Sequence, residues 1–515
     1  MAIDLTKHKV LQHGDSFPSE IHCDVCIIGS GAGGGTLAAG LAEAGISVVM
    51  VESGRYQDQA HFTMEEDKAF QQLYQDRGLR STQDLSMVVM QGHCVGGGTT
   101  VNWTTCFRTP ERILNHWKTA HGVDFTGGVL DPHFAATEQR LSISEWPAAL
   151  SNANNQVLRR GVEKLGWEAS ALRRNIKGCH NSGYCGMGCP TSAKQGMLRT
   201  TIPDALDAGM TLLCDTLAQR IEHTSKRVSA VHCTVRNPAS RENVQQLKIH
   251  PTICVSSCGA VNGPALFLRS DLDFNGRVGK RAFFHPVIGV AAIMPEPILG
   301  WSGAPQSAAC HEFIDRGPDK MGFFLEAVPV HPMLTSTTSA GFGASEQNFM
   351  QHLHRTALLI ALHVDGLLPG EEGGTISLRG DGRININYPF KAPIQEAFKA
   401  SHKVLGKIAF AAGAEEITTL HINNNSFKNS SELSRLDSMP FGALEHGIFS
   451  AHQMGGLAMG HDPSRSVVNS DLRHHELDNL FVVDGSVLPT ALGVNPSQTI
   501  YALAHRARGI ISNAL

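Results

Sequence analysis

"CDVCIIGSGAGGGTLAAGLAEAGISVVMVES", residues 23–53, decides how the chain begins to fold. Cys23 to Ile28 is an apolar run of strand length, and a glycine cluster follows it. An alanine- and leucine-rich stretch of helix length comes next, and "SVVMVES" closes as a second strand. The order strand, glycine loop, helix, strand predicts one β-α-β unit. Gly29, Gly31 and Gly34 make G-x-G-x-x-G at the first strand–helix junction. The first glycine suits a tight turn, the second lets backbone approach a pyrophosphate, and the third lets helix pack on strand. Phosphates are then expected at the helix N-terminus, where N–H groups are free. Glu52 lies 18 residues after Gly34, at the end of the second strand, placed to accept hydrogen bonds from ribose hydroxyls. Together these features predict a dinucleotide site without separating FAD from NAD. Cys23 and Cys26 form C-x-x-C inside the apolar strand and read as buried, inert thiols.

The bulk numbers agree with a large enzyme. The chain has 515 residues, 42% hydrophobic and 17% charged, enough to bury a sizeable core. A formal net charge of −4 gives no drive toward nucleic acid or anionic lipid. No uninterrupted apolar run reaches the roughly 18 residues of a membrane span. The first residues, "MAIDLTKHKVLQHGDSFPSE", do not read as a signal peptide, so a cytoplasmic protein is expected, with most of its 12 cysteines kept as thiols.

Further along, "TISLRGDGRININYPF" predicts two short strands joined at Gly-Asp-Gly. "PIQEAFKASHKVLGKIAFAAGAEE" predicts an amphipathic helix, with Ile394, Phe398, Ser401, Leu405 and Ile408 on one face and Gly413 at its end. "NLFVVDGSVLP" predicts a strand, and "QTIYALAHRARGIISNAL" a closing helix. Nucleotide-binding pieces at both ends around a strand-rich middle predict an α/β protein with a discontinuous Rossmann-like domain (20–280 and 441–515) and an inserted substrate domain (281–440). G-x-S-x-G and H-E-x-x-H are absent, leaving no basis for an α/β-hydrolase or a zincin.

"GHCVGGGTTVNWTTCFRTP", from Gly92, resembles the first signature of the glucose–methanol–choline (GMC) flavoprotein oxidoreductases, and "SSCGAVNGPALFLRSD", from Ser256, the second. "HPVIGV", from His285, resembles the passage into that family's substrate domain. The resemblance runs from about residue 20 to the C-terminus, implies FAD rather than NAD, and implies an antiparallel, six-stranded type of sheet plus helices in the substrate domain. It implies that Gly96, Gly97 and Asn102 lie against the flavin, and that Asp484 and Gly485 lie beside the ribityl chain and pyrophosphate. It also implies that His452 and Asn495 flank the flavin, the histidine taking the alcohol proton and the amide orienting the substrate. His93 departs from the family pattern, and a covalent flavin link there is conceivable. "CGMGCPTSAKQGMLRTTIPDAL" and "NWTTCFRTP" resemble the long-chain alcohol oxidase branch, favouring a bulky alcohol as the small-molecule substrate. A sugar or polyol dehydrogenase and a flavin-retaining lyase are the alternatives within the family, and a non-enzymatic flavin-binding module is a further one.

"CHNSGYCGMGCP" places Cys179, Cys185 and Cys189 at C-x5-C-x3-C-P in the loop 178–196. Reduced thiols, a disulfide with one thiol left over, zinc with His180 as fourth ligand, and an iron–sulfur cluster on glycine N–H groups are all readings of this loop. The spacing resembles that of GMC sugar dehydrogenase subunits carrying a three-iron cluster. That resemblance implies the three cysteines as ligands and an electron-acceptor protein as partner.

Overall fold

The computed structural model describes residues 5–339, 341–423 and 426–515. The opening unit forms as its pattern predicts: β1 (Glu20–Ile28), α1 (Ala32–Glu43) and β2 (Val48–Val51). α1 is buried from Gly33 to Ala42, so its small residues meet neighbours on every side. The sheet continues through β3 (Thr211–Leu213), β4 (Thr216–His223), β5 (Val228–Arg236) and the 14-residue β6 (Asn243–Ser256). Its order is Val10–Leu11, β3, β2, β1, β6, β5, β4. Pairing is parallel from Val10–Leu11 to β6 and antiparallel beyond it. The far end of β6 also pairs in parallel with Leu480–Val482, Val255 opposite Phe481. Both ends of the chain therefore build one nucleotide-binding layer, and the last helix (Ser497–Ser512) packs on α1.

The second layer is antiparallel. β7 (Val287–Ile293), β8 (Phe323–Ala327) and β9 (Thr356–His363) form its centre in the order β7, β9, β8. Among the described residues, short edge strands extend the expected six-stranded sheet to nine. Ser170–Ala171 and Val88–Val89 join it from before residue 281, and Phe449–Ser450 from after residue 440. Helices Ala153–Lys164 and α2 (Ala392–Ala411) pack on this sheet and on each other. All five residues expected on the inner face of α2 are buried, and Gly413 follows at φ +101°. Gly374–Leu378 and Ile384–Asn387 pair around the Gly-Asp-Gly turn, Leu378 opposite Ile384.

Ser401, the polar member of the α2 face, donates to or accepts from His363 Nε2 at 2.9 Å. His363 belongs to a buried group with His402 and His446, packed among Phe398 and Phe441. Burial pushes His363 down to about 3 and His402 to about 4, and holds His446 well below 6.5. The unfolded chain then binds more protons than the folded one below pH 6.5, so stability is full above that pH and is lost as pH falls toward 4. The thermal midpoint should be clearly lower at pH 5 than at pH 7.5. A midpoint that holds or rises on acidification would mean that these rings are charged in the fold.

Candidate cofactor and active site

The glycine loop leaving β1 is shaped by close approach. Gly29 has φ +104°, and a Cβ there would lie 2.2 Å from Ser257 O on the loop leaving β6. A Cβ at Gly34 would lie 2.0 Å from Gly29 O, and one at Gly33 would lie 1.7 Å from Val483 O. Gly31 differs, because a Cβ there would meet nothing within 4 Å. The second glycine loop folds over the first: a Cβ at Gly97 (φ +51°) would lie 3.0 Å from Gly31 Cα, and Gly96 N donates to Ser30 Oγ at 2.9 Å.

Glu52 ties these loops together. Its Oε2 accepts from Ser30 N at 3.0 Å and Ser30 Oγ at 2.5 Å, and its Oε1 accepts from Gly54 N at 2.8 Å. Burial raises its pKa and these donors pull it back. Asp484 acts likewise at the end of Leu480–Val482. It accepts from Ser486 N at 2.7 Å and from Gly259 N at 2.8 Å. Gly485 packs close beneath Gln453 O. Asn102 caps the turn Gly98–Val101, and its carbonyl accepts from Lys194 Nζ at 2.7 Å.

His452 and Asn495 meet although 43 residues separate them: Asn495 Nδ2 lies 3.3 Å from His452 Nε2. His452 Nδ1 faces His285 Nδ1 at 3.2 Å. His285 is fully buried at φ +43°, and its Nε2 accepts from Gly493 N at 3.2 Å. Burial pushes His452 down to about 4 and His285 well below 6.5, so both rings are neutral near pH 7. Among the described residues Asn495 Oδ1 is buried without a partner, a polar atom able to meet a bound group.

Two family models described as GMC oxidoreductase match residues 70–287 and 369–504, and one described as FAD binding domain matches 22–64. A long-chain-alcohol oxidase of Arabidopsis thaliana is 31% identical over 510 residues, covering 94% of this chain and 68% of its own. An uncharacterized GMC-type oxidoreductase of Mycobacterium tuberculosis (strain ATCC 25618 / H37Rv) is 30% identical over 511 residues, covering 96% and 76%. This chain belongs to the GMC oxidoreductase family. Pyridoxine 4-oxidase from Mesorbium loti shares the fold, with a TM-score of 0.70 at 17% identity over 95% of this chain and 99% of that one. The GMC chain is thus an FAD-dependent oxidoreductase of CH–OH groups. Its residues fit FAD: Gly31 leaves an open cradle at the start of α1, between loops held by Glu52 and Asp484.

Two residues beside the His452–Asn495 pair were not singled out as site residues in the sequence. One is His285, noted there only as the start of a segment. The other is Glu326 in β8, fully buried and alongside the Asn495 amide. Gln306 Nε2 donates to its Oε2 at 2.5 Å, and its Oε1 has no partner. With no cation beside it, burial raises its pKa to about 8, so it is a neutral acid at pH 7. The usable signal was an acid inside the otherwise apolar "FFLEA".

The cysteine loop is held by protein groups. Cys179 Sγ contacts Asn181, Cys189 Sγ contacts Thr191 Oγ1 at 3.5 Å, and Cys185 Sγ lies 4.0 Å from Arg174 Nη2. Buried Lys194 donates to Cys185 O at 2.6 Å and to Thr100 O at 2.7 Å, bracing this loop against the second glycine loop. Among the described residues, Glu20, His22 and His250 are the one group of three candidate ligands within 4.8 Å of each other, so the three thiols do not close on a single zinc ion. Cys26 in β1 is buried, as expected, and burial holds its thiol well above 9, whereas Cys23, also expected to be buried, is only half-buried near the strand's start. Among the described residues no helix is long and apolar enough to cross a membrane.

The glycines make opposite predictions. Gly31→Val should abolish the bound-flavin absorbance yet leave the melting midpoint of the flavin-free protein unchanged. Gly34→Ala should destabilise the flavin-free protein itself by about 1–3 kcal/mol, since its methyl strikes backbone. Glu326→Gln should raise the melting midpoint at pH 7.5. The unfolded acid releases its proton above about 4.3 while the folded one keeps it to about 8, so the gain should vanish near pH 4.

Proposed function

We propose that the enzyme oxidises a bulky or long-chain alcohol to the carbonyl, with His452 as the group that takes the hydroxyl proton. The neutral His452–Asn495 pair at 3.3 Å carries this reading. FAD, when bound, supplies the hydride acceptor for the C–H bond. The proton is left to the chain. A neutral imidazole accepts it as charge develops on the alcohol oxygen. Asn495 orients the hydroxyl through its amide, and the neutral acid Glu326 stands behind that amide. Accepting at Nε2 requires the proton shared between the two Nδ1 atoms to sit on His452, so His285 sets how readily the base form is reached. The Gly493 N–H at His285 Nε2 pulls the other way, because it favours a proton on His285 Nδ1.

The preference for a bulky apolar alcohol draws on the Arabidopsis relatives named long-chain-alcohol oxidases. It draws also on a continuous run of rings leading from His452 through His285, Phe324 and His311 to Phe107, with neighbouring centroids 5.2–5.6 Å apart. The cysteine loop serves as a brace in this reading, since no matched family or named relative supports an iron–sulfur cluster. Twelve free cysteines suit a reducing compartment, in keeping with a cytoplasmic enzyme.

Anaerobic addition of a long-chain primary alcohol should bleach the oxidised flavin band, whereas a lyase would leave it unchanged. His452→Ala should slow that reduction about 10²–10⁴-fold with FAD retained, and a wild-type rate would remove His452 from the chemistry. With His452 held to about 4, the reduction rate should stay level from pH 7 to 5 and fall only near pH 4. A limb at 6.5 would mean that the base is not this buried ring. Iron and acid-labile sulfide should both be near zero in anaerobically purified protein. Stoichiometric values would restore the cluster and an electron-acceptor protein as partner.

A further inference from the structure

A cavity of about 580 Å³ is separate from the flavin site and shares no residue with the glycine loops or the His452–Asn495 pair. Its walls are the turn and strand 276–281, the loop 460–466, the end of helix Glu111–His121, and Gly373–Thr375. These walls are fixed to each other. Asn275 Nδ2 donates to Pro463 O at 2.6 Å and to Ser466 O at 2.9 Å, and Arg277 Nε donates to Ser464 O at 2.9 Å.

Arg277, Lys280, Arg281 and Arg465 all line this space. None of the four forms an ion pair with a carboxylate among the described residues. Four like charges around one cavity repel, offset in part by Glu371 and Glu372 near Arg281 and by Asp462 near Arg465. Two carboxylates, Glu372 and Asp462, also line the cavity, Asp462 Oδ1 accepting from Ser464 N at 2.9 Å and Ser464 Oγ at 2.8 Å. Among the described residues Arg281 Nε and His121 Nε2 are buried without a hydrogen-bond partner, and the Arg281 guanidinium lies over the Phe283 ring. Arg281 is also held at φ +56°, an unfavourable backbone for a long side chain, while its guanidinium donates to Glu371 O and Pro489 O.

We propose that this cavity binds a multiply charged phosphate-class anion, of the size of a diphosphate or a phosphorylated small molecule. Guanidinium groups match phosphate oxygens in fork geometry, and Lys280 adds a point charge. The cations come from two separate walls, 277–281 and 465, which suits a tetrahedral group with oxygens in several directions better than a planar carboxylate. The volume exceeds what a single small ion fills, so the anion has room for the rest of a molecule.

Inorganic pyrophosphate titrated into the FAD-loaded full chain should give saturable, one-to-one binding heat at an ionic strength fixed with NaCl. The Arg277→Ala/Arg465→Ala double variant should weaken binding at least about tenfold, and Lys280→Ala should weaken it less. All three side chains are exposed, so flavin absorbance and anaerobic flavin reduction should match the wild type, and the melting midpoint should fall only slightly in the double variant, which loses the Arg277–Ser464 bond. No saturable heat at millimolar pyrophosphate would overturn the proposal, as would equal affinity in the double variant. Citrate binding as tightly as pyrophosphate would overturn the phosphate assignment.

Discussion

The buried carboxylate of Glu52 is the tie on which the cofactor half depends. It stands at the end of β2 and accepts from Ser30 on the first glycine loop and from Gly54 on its own strand's exit. Ser30 in turn receives Gly96 N from the second loop. One side chain therefore sets the spacing between two stretches that must lie close together, and a Cβ at Gly97 would already press on Gly31. Burying a carboxylate is costly unless donors meet it, and here backbone and hydroxyl groups do so without a cation. The arrangement holds only if β1, β2 and the Gly96 loop are all in place, so the site forms with the layer rather than after it. Lys194 extends the same constraint outward, joining Thr100 and Asn102 to the cysteine loop.

Much of this was legible where local contacts dictate residue type. A Cβ at Gly34 would strike the carbonyl of Gly29 five residues earlier, so that spacing carries the message by itself. α2 was legible because a twenty-residue amphipathic helix repeats its signal over several turns. Contacts made across the chain left no comparable mark. Gly33 is required by Val483, 450 residues away, and nothing near Gly33 announces it. Ser170–Ala171 is too short to show a period, so its place on the second sheet was not readable. The pairing of His452 with Asn495 came from family resemblance, since one histidine among 26 has no distinguishing local pattern.

His285 and Glu326 show a subtler limit. Each sits in a segment that reads correctly as secondary structure or its edge, and each is buried where a charge would be expensive. Their importance lies in what is missing around them: His285 has another neutral histidine for a partner, and Glu326 has no cation. Absence of a partner cannot be read along a chain, because partners come from other elements.

The His452–Asn495 site and the cavity at Arg277 handle charge in opposite ways. Around Asn495 the titratable groups are kept neutral: His285 and His452 are pushed down and Glu326 is pushed up, all chiefly by burial. Neutral groups can pass or share a proton with little reorganisation of charge, which suits a site where a hydroxyl must lose one. Around the cavity at Arg277 and Arg465 the charges are kept, left open to solvent and unpaired. Fixed charges of one sign do little for a proton but attract an ion of the opposite sign. Arg281 stands between the two regimes. Its own side chain lines the cavity, while the next two residues, Ala282 and Phe283, pair with Gly455 and Met454, and His285 follows after Phe284.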